Sequence, residues 1–139
     1  IESGIINLGG NVLCIGSKPD GSPFRVGIQK PFSDRNTYLT IVETEDKSVV
    51  TSGCYERYFE MDGKFYHHIL NPATGYPYDN DLVSVTILSD LSVDGDGLST
   101  SCYALGLEKG MKLIESLPDT EALFVTNDEE LHYSSGFPR

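Results

Sequence analysis

Alternating apolar and polar positions, which are typical of half-buried β-strands, dominate the first two thirds of the chain. The strongest hairpin signal is the dipeptide Asp62-Gly63, and Leu8-Gly9-Gly10 is a tight joint between two further apolar runs. Two β-branched runs around the acidic segment 45–47 are predicted to form another hairpin. The predicted strands are 5–7, 11–15, 24–29, 38–44, 48–52, 57–61, 64–70, 82–88, 122–126 and 131–134.

The hydrophobic period changes after residue 94 and becomes helical. One helix is predicted to follow Asp94 and to run to Leu105, where Gly106 provides the stop signal. A second helix is predicted over 108–117, before Pro118. Antiparallel strands followed by two helices late in the chain indicate an α+β fold in a single domain over residues 1–139.

Composition and charge narrow the possible ligands. The formal net charge is −11, which argues against a basic surface for nucleic acid and against adhesion to anionic lipid. Phosphate ligands remain possible, because a divalent cation can supply positive charge locally. The three cysteines, Cys14, Cys54 and Cys102, have no metal-binding or disulfide spacing, and they are predicted to be small buried hydrophobic residues.

The first predicted helix carries the most informative pair of polar residues. At about 100° per residue, Asp96 and Thr100 lie about 40° apart on a helical wheel. The apolar stripe of Leu98, Cys102 and Leu105 lies on the opposite side and is expected to face the core. Asp96 and Thr100 are therefore expected to face away from the core together.

A carboxylate and a hydroxyl four residues apart on a helix can reach one hard cation. Such oxygen ligands suit Mg²⁺, which keeps several waters and shares phosphate oxygens. A helix start favours anions, so a metal–phosphate complex fits there better than a bare cation. Spacing alone also fits a purely structural role, in which Asp94 or Asp96 caps the helix and Thr100 bonds back within it.

Other polar segments are less specific. Neighbouring residues of a strand point to opposite faces, so at most one of His67 and His68 is expected to face a ligand. Two prolines and a glycine predict an ordered loop over 71–77. The glycine-containing segments 9–11 and 51–53 allow close approach of the backbone, either to a ligand or within a bulge or turn.

Taken in order, these segments resemble the motifs of the FAD:protein FMN transferase family, also called ApbE. Four motifs carry the resemblance, and their order along the chain is specific even though each one alone is moderate. They are Asn7-Leu8-Gly9-Gly10-Asn11-Val12, Val50-Thr51-Ser52-Gly53-Cys54-Tyr55-Glu56-Arg57, Tyr66-His67-His68-Ile69-Leu70-Asn71-Pro72-Ala73-Thr74-Gly75-Tyr76-Pro77 and Asp96-Gly97-Leu98-Ser99-Thr100.

The resemblance implies an ApbE-like α+β fold related to the T-fold, and an activity. Family members use Mg²⁺, cleave the pyrophosphate of FAD, join FMN to a Ser or Thr hydroxyl of a target protein and release AMP. In this chain Asp96 and Thr100 match the metal-binding residues, and Asp96 is also the candidate catalytic residue. The predicted cofactor-binding residues are His68, Ile69, Leu70, Gly9, Gly10, Asn11, Thr51, Ser52 and Gly53.

The chain also departs from the family's pattern. Asn71 stands where Asp is usual and Gly97 where Ala is common. Family members are much longer, so the chain is expected to be a C-terminal portion that lacks the N-terminal half and has little activity alone. The full protein is expected to lie outside the cytoplasm on a lipid anchor and to modify a membrane redox subunit or another extracytoplasmic flavoprotein. The alternatives are an FAD pyrophosphatase and a non-catalytic flavin-binding module.

Overall fold

The computed structural model describes residues 1–34 and 36–138, which form ten strands and two helices. The elements, in chain order, are β1 Gly4–Leu8, β2 Asn11–Ile15, β3 Phe24–Gln29, β4 Tyr38–Thr44, β5 Ser48–Gly53, β6 Tyr58–Met61, β7 Lys64–His67, β8 Leu82–Ser89, α1 Ser92–Leu105, α2 Leu107–Ile114, β9 Glu121–Thr126 and β10 Leu131–Tyr133.

Six strands form an antiparallel sheet in the order β1-β2-β5-β8-β9-β10, while β3–β4 and β6–β7 form two separate antiparallel ribbons. This arrangement confirms the α+β prediction. The predicted β4–β5 hairpin is wrong, because β4 pairs with β3 whereas β5 pairs with β2 and β8. The chain therefore leaves one layer and enters the next at residues 45–47.

Two hydrophobic clusters cover the two faces of the large sheet. One cluster joins Val85 and Ile87 of β8 to Tyr103 of α1 and Ile114 of α2. The other joins Val42 of the β3–β4 ribbon to residues of β5, β8 and β9. All eight residues of β8 are buried, because the helices cover one of its faces and the ribbon covers the other.

Local turn chemistry fixed two hairpins as predicted. Gly9 and Gly10 have φ angles of 68° and 101°, a backbone that glycine adopts without strain.

β7 ends at His67, three residues before its predicted end, because the residues that follow form hydrogen bonds outside the β6–β7 ribbon. The Ile69 carbonyl accepts from the Tyr78 amide at 3.1 Å, and Leu70 bridges to Pro77 across the 71–77 loop.

The buried face of α1 agrees only in part with the predicted one, because Cys102 is buried and Leu98 packs against the core, whereas Leu105 does not. Leu105 is 43% exposed, whereas Gly95, Ser99, Cys102 and Tyr103 are buried. Small residues occupy this face because α1 lies close against β5 and β8. An added Cβ on Gly95 would stand 2.8 Å from Val50 Cγ2. The side of α1 that carries Gly95 and Ser99 therefore faces the sheet, because small side chains let the helix approach closely, and Leu105 is left at the surface.

The second helix is shorter than predicted and ends at Ile114, although turns continue the chain to Leu117. In the part of the chain that the structure describes, no helix has the length and apolar character needed to cross a membrane.

The prediction that the three cysteines are buried is confirmed, and all three are free thiols. Burial raises the pKa of the Cys102 thiol to about 11, which leaves it protonated and inert.

Candidate functional site

Asp96 and Thr100 lie on the exposed side of α1, as predicted. The structural alternative, in which Asp94 or Asp96 caps this helix, is wrong. The helix begins at Ser92, earlier than predicted, and the Leu91 carbonyl accepts from the amides of Asp94 and Gly95 at 3.1 Å. Asp94 lies within the first turn and Asp96 beyond it, so neither occupies the capping position.

Thr100 bonds to the sheet and not back into its own helix. Its Oγ1 lies 2.9 Å from Ser52 Oγ on β5, and Ser52 Oγ lies 2.8 Å from Ser99 Oγ. The Ser99 hydroxyl in turn donates to the Asp96 carbonyl at 3.1 Å. This network joins the motif at the end of β5 to the motif on α1, which are distant in sequence.

The Asp96 carboxylate, by contrast, has no bonding partner within residues 1–34 and 36–138. It is exposed, and it lies one helical turn before the Thr100 hydroxyl. The same described residues hold no group of three or more His, Cys, Asp or Glu side chains that could bind a metal. Asp96 and Thr100 are thus two neighbouring oxygen-bearing side chains on α1, and metal binding by them stays a prediction.

The β1–β2 turn adjoins the start of the same helix. Asn11 Oδ1 accepts from the Ser92 hydroxyl at 2.6 Å. Ser92, Asp96 and Thr100 follow one another at intervals of four residues and so lie along one side of α1. A polar row therefore runs along this side, held to the sheet by Asn11 at one end and by Ser52 at the other.

Three predicted cofactor residues, Gly9, Gly10 and Thr51, line a cavity of about 390 Å³ that lies beside the β3–β4 ribbon. Thr51 faces away from α1, and its hydroxyl lies 2.8 Å from that of Thr86 on β8. Tyr55 also lines this cavity, and burial raises its pKa to about 12. The predicted cofactor-binding residues therefore lie on both faces of the sheet, since Thr51 faces this cavity and Ser52 faces α1.

Gly53 has a packing role. It is buried, and a Cβ added to it would stand 2.5 Å from the ring of Tyr55. The sequence allowed either a ligand or a tight internal contact at this glycine. The structure places an aromatic ring against it, and binding of a cofactor by Gly53 stays a prediction.

The predicted flavin segment alternates between the surface and the core. His68 and Leu70 are exposed, whereas Ile69 is buried in the core cluster with its carbonyl bonded to Tyr78. His68 Nδ1 lies 3.2 Å from the Arg57 carbonyl, which holds the imidazole ring beside the start of β6. Flavin binding by these three residues stays a prediction, with His68 and Leu70 accessible to a ligand.

The sequence did not reveal a further cavity, which has a volume of about 660 Å³. Aromatic side chains supply much of its wall, including Phe32, Phe65, Tyr78 and Tyr103, and His67 also contributes. The sequence does contain one signal for this cavity, because Tyr76 and Tyr78 are close together in the chain and both line its wall. None of the predicted site residues lines this cavity.

His67 is expected to make stability depend on pH. It is 6% exposed, and its Nε2 donates to the Tyr78 carbonyl at 3.0 Å while Nδ1 accepts from the Ile69 amide at 3.3 Å. Burial lowers its pKa, because a charged ring would lose water and would direct a second N–H at the Ile69 amide. The unfolded chain therefore binds this proton more readily, and stability falls as the pH drops below about 6.5.

Urea unfolding at pH 7.5 and at pH 5 measures this effect. We expect the wild type to lose more stability between the two pH values than His67→Gln does. His68→Gln is the comparison variant: burial is the main cause of the lowered His67 pKa and the neighbouring His68 charge a smaller one, so this variant should reduce the pH dependence less than His67→Gln does. An identical pH dependence in the wild type and in His67→Gln would contradict the account.

Comparison with known proteins places this arrangement in a family. The model of the ApbE family matches residues 1–124. A curated relative, the FAD:protein FMN transferase of Klebsiella pneumoniae (strain 342), is 45% identical over 135 residues, which make up 97% of this chain and 41% of the relative. The chain spans less than half the length of the curated relatives, from 41% of the Klebsiella pneumoniae relative to 31% of the one from Escherichia coli (strain K12).

Solved structures show the same fold. The ApbE protein of Thermotoga maritima MSB8 superposes with a TM-score of 0.86 at 33% identity, over 99% of this chain and 45% of that protein. The flavin transferase ApbE from Vibrio cholerae superposes with a TM-score of 0.81 at 35% identity, over 99% of this chain and 44% of that protein. With the family model matching most of its length, the chain belongs to the ApbE family.

Proposed function

We propose that this chain is the C-terminal portion of an FAD:protein FMN transferase. In the full protein, the hydroxyl oxygen of a Ser or Thr of the acceptor bonds to the FMN phosphorus of FAD. The bond from that phosphorus to the bridging oxygen breaks, AMP leaves, and the hydroxyl proton is released. Membership of the ApbE family supports this proposal, as does the name of the Klebsiella pneumoniae relative.

The observation that carries the proposal is the pair formed by Asp96 and Thr100. Both side chains are exposed on α1, and the carboxylate has no partner among the described residues. A chain with a net charge of −11 has little positive charge to offer a pyrophosphate. Carboxylate and hydroxyl oxygens suit Mg²⁺, so these residues fit a cation that would bridge the protein and the pyrophosphate.

When bound, Mg²⁺ would neutralise charge that develops on the phosphoryl oxygens. The residues of this chain have separate tasks. Asp96 would supply the anionic ligand and would orient the acceptor hydroxyl. Thr100 supplies a neutral oxygen, which Ser52 holds against β5. The exposed His68 and Leu70 are available to the flavin, and Gly9, Gly10 and Thr51 line the cavity beside the β3–β4 ribbon.

The proposal is tested with the full-length protein, FAD, Mg²⁺ and a candidate acceptor taken from a membrane redox complex. We expect the acceptor to gain the mass of one covalent FMN, with one AMP released for each transfer. Intact-protein mass spectrometry and nucleotide chromatography measure the two products. Free FMN with an unmodified acceptor would indicate a pyrophosphatase, and intact FAD would indicate a binding module. Either outcome would contradict the proposal.

We also propose an extracytoplasmic, lipid-anchored location for the full protein, supported by the family resemblance alone. Fractionation of cells that express the full-length gene tests this location. We expect the protein in the membrane fraction, accessible to protease added outside the cytoplasmic membrane. Recovery from the cytosol in soluble form would contradict it.

A further inference from the structure

The three hydroxyls near Asp96 form a chain whose direction can be deduced. The chain comprises Thr100, Ser52 and Ser99, with oxygen separations of 2.9 and 2.8 Å, and it ends at the Asp96 carbonyl. A carbonyl oxygen only accepts, so the Ser99 hydroxyl donates to it at 3.1 Å. Ser99 is fully buried, and water does not compete for its hydroxyl.

Each hydroxyl has a single proton, so the three hydrogen bonds can form together in only one set of directions. Ser99 has used its proton on the carbonyl, so it accepts from Ser52. Ser52 has then used its own proton, so it accepts from Thr100. All three bonds form together only in this order. The proton of Thr100 therefore points inward to β5, and the lone pairs of Thr100 Oγ1 point outward on the exposed side of the helix.

We propose that Ser52 and Ser99 are positioning residues that orient the Thr100 hydroxyl as a cation ligand. This inference rests on the proposed function, because it takes Asp96 and Thr100 as the metal-binding pair. A hydroxyl that donates inward presents only lone pairs to a cation. A freely rotating hydroxyl presents its proton part of the time, and a hydroxyl that accepts from Ser52 gives up a lone pair.

A packing role for the two serines predicts a different result. If Ser52 and Ser99 only joined helix to sheet, their removal would lower stability without any specific effect on metal affinity. If they orient Thr100, loss of Ser99 acts through Ser52, which is left to donate to Thr100 instead. The effects of the two substitutions on metal affinity would then be strongly non-additive.

The test measures Mn²⁺ affinity of the full-length protein in the presence of FAD, from the electron paramagnetic resonance signal of free Mn²⁺. We expect Ser99→Ala and Ser52→Ala each to weaken binding about tenfold, the range found for residues that orient metal ligands. The double variant should bind no more weakly than Ser52→Ala alone. Ser52→Thr restores a hydroxyl and should bind Mn²⁺ like the wild type.

Ser48→Ala is the matched control. Ser48 is also buried under α1, and its hydroxyl bonds Ser89 at 2.9 Å in a pair that does not reach Thr100. We expect this variant to lose stability but to keep its Mn²⁺ affinity. Urea unfolding of each variant separates loss of folding from loss of affinity, and the half-buried Ser52 remains a usable site if Ser99→Ala does not fold.

Two outcomes would overturn the inference. Independent, additive losses from Ser52→Ala and Ser99→Ala would show that Ser99 does not act through Ser52. Unchanged affinity in both variants, with affinity lost in Asp96→Ala, would overturn the positioning role and leave the metal site intact. If the wild type itself bound no Mn²⁺, the metal site of the proposed function would fail as well.

Discussion

Replacing Asp96 with alanine is expected to reduce FMN transfer by the full-length protein about a thousandfold or more. The substitution removes the only carboxylate of the proposed metal pair, and stabilisation of developing charge by a metal is worth several kcal/mol. Each 1.4 kcal/mol corresponds to a factor of ten in rate. Because Asp96 is exposed and has no partner among the described residues, its loss should leave the fold unchanged.

The transfer rate at saturating Mg²⁺ measures this effect, and two variants complete the comparison. Asp96→Asn keeps a neutral oxygen and should retain more activity than Asp96→Ala. Asp94→Ala removes an exposed carboxylate from the first turn of the same helix and should transfer FMN at the wild-type rate. Equal rates in wild type and Asp96→Ala would remove Asp96 from the mechanism.

Replacing Gly95 with alanine is expected to destabilise the chain by up to about 2 kcal/mol. A Cβ at this position would lie 2.8 Å from Val50 Cγ2 and 3.0 Å from Ser89 Oγ. Val50 is buried and β-branched, so it has little freedom to move. Overpacking costs about 1–3 kcal/mol, and the better helix propensity of alanine offsets about 1 kcal/mol of this cost.

Gly97→Ala is the matched control, two residues further along α1. No atom lies within 4 Å of the Cβ that this substitution adds, and the site is exposed. The same change should therefore stabilise the protein by about 0.4–1 kcal/mol through the unfolded state. Urea unfolding measures both variants. Equal stability of Gly95→Ala and Gly97→Ala would show that α1 is not held close against β5.

The comparison of sequence and structure shows which features are encoded locally. Gly9-Gly10 and Asp62-Gly63 predicted their hairpins correctly, because a tight turn depends on the φ angles of its own residues. The pairing of β4 was predicted wrongly. Strand pairing depends on which surfaces cover each other, and β5 pairs with β2 and β8 inside the large sheet.

In the candidate site, too, features that depend on local sequence were predicted correctly, and contacts between distant residues were not. The helical wheel placed Asp96 and Thr100 on the exposed side correctly, although it assigned Leu105 to the core. It failed for Leu105 because close contact between α1 and the sheet requires small residues, which contribute little to an apolar stripe. Ser52 and Ser99 could not be joined from the sequence, since they are 47 residues apart and meet only after the sheet has formed.

In the proposed mechanism, Asp96 and Thr100 would hold the metal that meets the pyrophosphate. Anomalous diffraction from crystals of the full-length protein grown with Mn²⁺ and FAD tests it most directly. We expect an anomalous peak within coordination distance of both an Asp96 carboxylate oxygen and Thr100 Oγ1, with pyrophosphate oxygens as further ligands. A Mn²⁺ peak elsewhere, with pyrophosphate bound and with these two side chains unliganded, would contradict it.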